Sequence, residues 1–167
     1  MSSCPMGVKQ VLEEMRANWP QANLDAAEVV APLYRCRDLF YARSKEVIAE
    51  HGLTFGEFEA LAMLRKMPAP HRMTPSEICK AVWLTSGGMT KALNGLEKAG
   101  LISRQVDPVD RRSRIVELTA DGKALVERIM AAILARHDKV IGEALSPRER
   151  EQFVSLISKL VERAEAA

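Results

Sequence analysis

Residues 74–118, TPSEICKAVWLTSGGMTKALNGLEKAGLISRQVDPVDRRSRIVEL, decide the reading of this chain. Thr74 and Glu77 have capping-box spacing, Pro75 occupies the first helical position, and Met73 and Ile78 fit a hydrophobic staple. This predicts a short helix over 75–82. After a turn at Trp83-Leu84, Thr85 or Ser86 is placed to cap a second helix that runs to Lys98 and stops at Gly100. Met89, Leu93 and Leu96 form its inner stripe, which leaves Ser86, Gly87, Thr90, Lys91 and Asn94 on a small, polar outer side. Two alternating segments, 101–106 and 114–118, then flank Asp107 to Ser113 and read as a β-hairpin with a polar, arginine-bearing tip.

Helix, turn, helix and hairpin in this order suit a double helix of DNA. A second helix whose N-terminal residues are small can approach base edges in the major groove, with Gly87 allowing approach and Ser86, Thr90, Lys91 and Asn94 supplying hydrogen-bonding groups. Thr74 and Ser76, at the start of the first helix, are placed with these contacts. An arginine at the hairpin tip can enter the narrow minor groove; Arg112 is the candidate, with Arg111 and Arg114 near phosphates. Asp110 is expected to brace the wing by pairing with an arginine. Charge agrees: six basic residues face three acidic ones between Thr85 and Ile115, a net +3 in a chain whose total is +2. A solvated charge run would account for this composition but not for its place after the helix pair.

The flanks read as helices. Val8, Leu12 and Met15 line one face of a segment over 8–18 that Trp19-Pro20 ends. A long helix over 25–50, with Asp25 as N-cap and Gly52 as stop, carries a stripe of Val29, Leu33, Cys36, Phe40 and Val47. Thr54 and Glu57 make another capping box for a helix to Lys66, followed by a loop over 68–71. Thr119 begins a helix bearing Leu125, Ile129, Ile133 and Val140, and Ser146-Pro147-Arg148-Glu149 begins the last, with Phe153, Leu156, Ile157, Leu160 and Val161 in one stripe. These faces exceed what one small lobe covers, so homodimerisation through the terminal helices is expected. The fold class is mainly α: a winged helix-turn-helix over 53–118, flanked by helical dimerisation regions over 1–50 and 119–167.

Composition excludes other classes. The chain has 167 residues, 47% hydrophobic and 28% charged, enough for a real core and unlike a disordered segment. No apolar run approaches membrane-spanning length and the N-terminus lacks a signal-peptide core, which leads to the expectation of a cytoplasmic protein. Three scattered cysteines, Cys4, Cys36 and Cys79, support neither a disulfide framework nor a zinc site; no cofactor or metal is expected. With no glycine-rich phosphate loop, GxSxG or HExxH, an enzyme is not expected.

Leu53-Thr54, Ser86-Gly87-Gly88-Met89-Thr90, Leu96-Glu97-Lys98-Ala99-Gly100-Leu101-Ile102, Asp110-Arg111-Arg112-Ser113 and Leu118-Thr119-Ala120-Asp121-Gly122 resemble the multiple antibiotic resistance regulator (MarR) family, over residues 25–165. The resemblance implies a dimeric repressor on a pseudo-palindromic operator, a wing pair of Asp110 and Arg112, and a small-molecule pocket between dimerisation and DNA-binding regions. The extra N-terminal helix with Trp19 and the wording GLTFGEFEALAMLR resemble the urate-responsive, PecS-like branch, which implies an anionic heteroaromatic effector. Glu59 stands where that branch has aspartate, and Ala92 and Gly95 stand where it has recognition-helix arginines. The expected effector set is Trp19, Arg35, Asp38, Tyr41, His51, Glu59 and Met63, suited to stacking and clamping a small aromatic acid. Against this, Trp19 also reads as a core anchor, Arg35 and Asp38 as a surface pair, and His51 and His71 as capping or surface residues. Two other functions compete: a ligand-independent architectural module, and a thiol-based sensor using Cys36, which is read here as a buried core cysteine.

Overall fold

A computed structural model describes residues 6–19, 21–22, 24–82, 86–106 and 114–166. The chain divides after Lys45 into two compact units.

The first unit holds α1 (Val8–Asn18) and the larger part of α2 (Leu24–Glu50). Leu12 is buried, and Arg16 of α1 pairs with Glu28 of α2. Asp25 lies inside the first turn of α2 rather than capping it; there a carboxylate still favours the positive end of the helix dipole. Pro32 sits within α2, a break signal that the helix runs through. The expected stripe is uncovered at Val29 and Cys36, both exposed.

The second unit holds the end of α2 with α3 (Phe55–Lys66), β1 (Arg72–Met73), α4 (Pro75–Ala81), α5 (Ser86–Lys98), β2 (Ile102–Val106), β3 (Arg114–Leu118), α6 (Ala120–Ala144) and α7 (Pro147–Glu165). Its core joins Val47 and Ile48 to Phe58, Leu61 and Leu64 of α3, Ile78 of α4, Met89, Leu93 and Leu96 of α5, Val116 of β3, and Val126 and Ile129 of α6. All three capping boxes form: Thr54 with Glu57, Thr74 with Glu77, and Ser146 with Glu149. Each needs only groups three residues apart, which is why local spacing predicts it.

The hairpin forms in the register Ile102↔Leu118 to Val106↔Arg114. It gains a third strand, since β1 pairs antiparallel with β3 through Arg72↔Glu117 and Met73↔Val116. The Arg72 Nε–H donates to Glu117 Oε2 at 2.8 Å across this pair. The turn from α5 into the hairpin uses Gly100 at φ +72°, in the left-handed region that glycine tolerates. Thr119 then closes the hairpin base: its hydroxyl donates to the Gly100 carbonyl at 2.9 Å while accepting from the Gly122 N–H at 3.0 Å. Among the described residues no helix is long and apolar enough to cross a membrane.

Candidate nucleic-acid interface

The outer face of α5 is as expected. Met89, Leu93 and Leu96 are buried, while Gly87, Thr90, Lys91 and Asn94 are exposed. Ser86 is the first helical residue and so not the N-cap; the other candidate, Thr85, lies outside the described residues. A side chain at Gly87 would meet nothing within 4 Å, so its smallness leaves open space above the first turn of α5.

Thr74 lies at the head of α4, but its hydroxyl is committed to the cap: it donates to Glu77 Oε2 at 2.9 Å and accepts from the Glu77 N–H at 3.2 Å. The Thr74 backbone N–H, which donates to Glu77 Oε2 at 2.7 Å, and then its hydroxyl hold the Glu77 carboxyl below its ordinary range. Ser76 is exposed beside it. Ser76 and Lys80 of α4 share with Met89 and Thr90 of α5 a groove of about 410 Å³ between the two helices. Lys80, exposed on this side, is a cation that the sequence reading missed; its signal was the helical spacing from Ser76.

Arg114 is exposed at the outer end of the hairpin, opposite Val106. Asp110, Arg111 and Arg112 lie outside the described residues. Arg104, counted above in the basic surface, is drawn inward: its Nε lies 3.5 Å from Glu97 Oε2, and its side chain is only 20% exposed. The free positive charge of this face therefore sits at fewer positions than composition suggests.

The expected effector residues fall in both units. In the first, Trp19 is 60% exposed, which is unlike a core anchor, and Arg35 is half-buried. Asp38 pairs with its neighbour Arg37 at 3.3 Å and not with Arg35, and Tyr41 lies under Arg37 and Lys45 at 5.9 and 5.4 Å. Cys36 is exposed, against the expectation of a buried thiol, because this side of α2 is left uncovered within the chain.

In the second unit, Glu59 is partly buried on α3 and its carboxyl is pushed up by that burial, with Lys66 opposing. His51 Nδ1 lies 2.9 Å from the Val47 carbonyl and His71 Nδ1 lies 2.6 Å from that of Met67, both capping arrangements. Met63 packs partly buried on the core. A further groove of about 460 Å³ opens between α3 and α6, lined by Ala62, Arg65, Lys66, Val126, Glu127, Met130, Ala131 and Leu134. Its wall is apolar apart from Lys66 and the Arg65–Glu127 ion pair, at 2.6 Å. Arg65 was not among the expected residues, because nothing local distinguishes a cation in the last turn of a helix from a dipole partner. Ala92 is buried and Gly95 faces Glu57, so neither position presents an outward cation on α5.

A helix packed on a preceding helix and followed by a hairpin, to which the earlier β1 adds a third strand, is a winged helix-turn-helix fold. The model of the MarR family matches residues 51–113. The regulator PecS of Dickeya dadantii (strain 3937) is 30% identical over 149 residues, which span 89% of this chain and 87% of PecS. The repressor Rv2887 of Mycobacterium tuberculosis is 30% identical over 77% of this chain and 89% of its own; its structure, a complex with p-aminosalicylic acid, superposes with a TM-score of 0.62 over 78% and 95% of the two chains. Bordetella bronchiseptica BpsR, whose DNA binding is regulated by 6-hydroxynicotinic acid, is 28% identical with a TM-score of 0.60, over 80% of this chain and 92% of BpsR. The chain belongs to the MarR family of transcriptional regulators.

Proposed function

We propose that this regulator is a homodimeric repressor that binds a pseudo-palindromic operator and is released from it by a small aromatic acid. The observation that carries the DNA reading is the exposed face of Gly87, Thr90, Lys91 and Asn94, with Arg114 exposed at the outer end of the adjoining hairpin. In this reading α5 enters the major groove, and Arg112 enters the minor groove with Asp110 bracing it. Arg111 and Arg114 meet phosphates; Ser76, Ser86 and Thr74 support the approach of both helices. Half-sites about one helical turn apart follow from two-fold symmetry.

The effector class is supported by Rv2887 and BpsR, whose ligands are both aromatic acids. The proposed binding set is Trp19, Arg35, Asp38 and Tyr41 on the first unit, and His51, Glu59 and Met63 on the second. Trp19 offers a stacking surface, Arg35 a partner for the effector carboxylate, and Glu59 a partly buried carboxyl whose pKa that burial pushes up. Release then requires only that the acid bind better to a dimer conformation whose recognition helices do not match the operator.

A duplex selected by the protein from a random-sequence pool tests the DNA reading by fluorescence anisotropy. Arg112→Ala should weaken binding by about tenfold, roughly one good base or groove contact, without lowering the melting temperature. Unchanged affinity would remove the wing from the model. Benzoates, hydroxynicotinates and purines added to the complex test the effector; a panel with no release would favour a ligand-independent architectural protein.

The exposure of Cys36, between Arg35 and Arg37, favours one second reading, a thiol that responds to peroxide. Peroxide release that survives Cys36→Ser would end it.

A further inference from the structure

Resting on the DNA-binding reading above, we infer that the Glu97–Arg104 pair is a positioning device that sets the angle of the wing to the recognition helix, and that Arg104 is not itself a phosphate contact. Glu97 lies in the last turn of α5 and Arg104 in the middle of β2, opposite Val116, so their side chains bridge the turn at Gly100. The Arg104 side chain is only 20% exposed, with its Nε buried 3.5 Å from the Glu97 carboxylate. A cation turned inward onto an acid is poorly placed to meet a phosphate.

The lever explains why the pair matters. From Ile102 to Val106 the strand extends about 13 Å at the usual rise per residue, so a tilt of ten degrees or so at its base moves the outer end by roughly 2 Å. That displacement exceeds the tolerance of a hydrogen bond. Thr119 holds the chain at the hairpin base, but among the described residues Glu97–Arg104 is the one ion pair that joins α5 to β2.

The inference predicts an effect opposite to simple electrostatics. Removing a carboxylate from a DNA-binding helix should tighten binding if charge alone decides, whereas loss of the brace should weaken it. The full-length dimer and the selected duplex described above are used for anisotropy across a salt series and for hydroxyl-radical footprinting.

For both Glu97→Gln and Arg104→Gln we expect roughly tenfold weaker binding and loss of minor-groove protection under the wing, with major-groove protection retained. With Glu97 still 42% exposed, the pair is partly screened by solvent and contributes little to stability, so melting should move by no more than about 4 °C. The swapped variant Glu97→Arg/Arg104→Glu should recover affinity and wing protection. Glu97→Gln binding as tightly as the parent would overturn the proposal. So would Arg104→Gln losing about one unit of salt slope with an unchanged footprint, the signature of a phosphate contact. If no duplex can be selected at all, the DNA-binding reading falls and this inference with it.

Discussion

At Gly122 a side chain has no room: a Cβ there would lie 2.0 Å from the Leu101 carbonyl oxygen. The neighbour is backbone, and Leu101 also accepts from the Thr119 N–H at 3.2 Å, so it cannot yield without opening the base of the wing. Gly122→Ala should therefore destabilise by about 1–3 kcal/mol, the usual range for overpacking, even though alanine is the better helix former. A chemical-denaturation midpoint equal to or above the parent's would contradict this close approach. Glu59 gives a second prediction of opposite sign. Its carboxyl is raised by burial, so the fold prefers it protonated, and the charged form costs stability once pH rises through that raised value. Glu59→Gln should raise the melting temperature at pH 7, and the gain should vanish in acid. If it also abolishes release by the effector, this carboxyl is retained for binding despite its cost to stability.

At the scale of elements, the capping boxes couple helix starts to pH. Hydrogen bonds from Thr74 hold Glu77, and those from Ser146 hold Glu149, below the ordinary value of 4.5. A depressed carboxyl stabilises the fold fully above its unfolded value and loses that contribution as pH falls through the folded one. Stability should thus decline below about pH 4.5, and a Thr74→Ala/Ser146→Ala protein should decline less steeply there. Equal slopes in melting scans from pH 6 to 3 would refute the assignment. These boxes were legible in advance because both partners sit within one turn. β1 was not: its two residues carry no strand pattern of their own, and their ladder partner is contributed 44 residues or so further along the chain. Pro32 misleads in the other direction, since a break signal says nothing about what the surrounding helix gains elsewhere.

Across the whole molecule, the clearest unmet demand is on α7. Phe153, Val154, Leu156, Leu160 and Val161 are 48–62% exposed, and α7 buries none of its residues. Covering the exposed half of each such side chain gains about 1 kcal/mol, and over both copies of the helix this sums to enough to offset much of the entropy lost in pairing two chains. Leu156→Glu/Leu160→Glu should give a monomer in sedimentation analysis and weaken binding to the selected duplex by a hundredfold or so, since two half-sites no longer bind as one unit. A dimer that persists would place the interface elsewhere. The sequence by itself determined the helices, the three capping boxes, the hairpin and the face of α5, because each rests on spacings of two to four residues. Only the tertiary structure decided that Arg104 turns inward to Glu97 and that Cys36 is exposed. Those outcomes depend on which surfaces the folded chain covers, and no local periodicity carries that information.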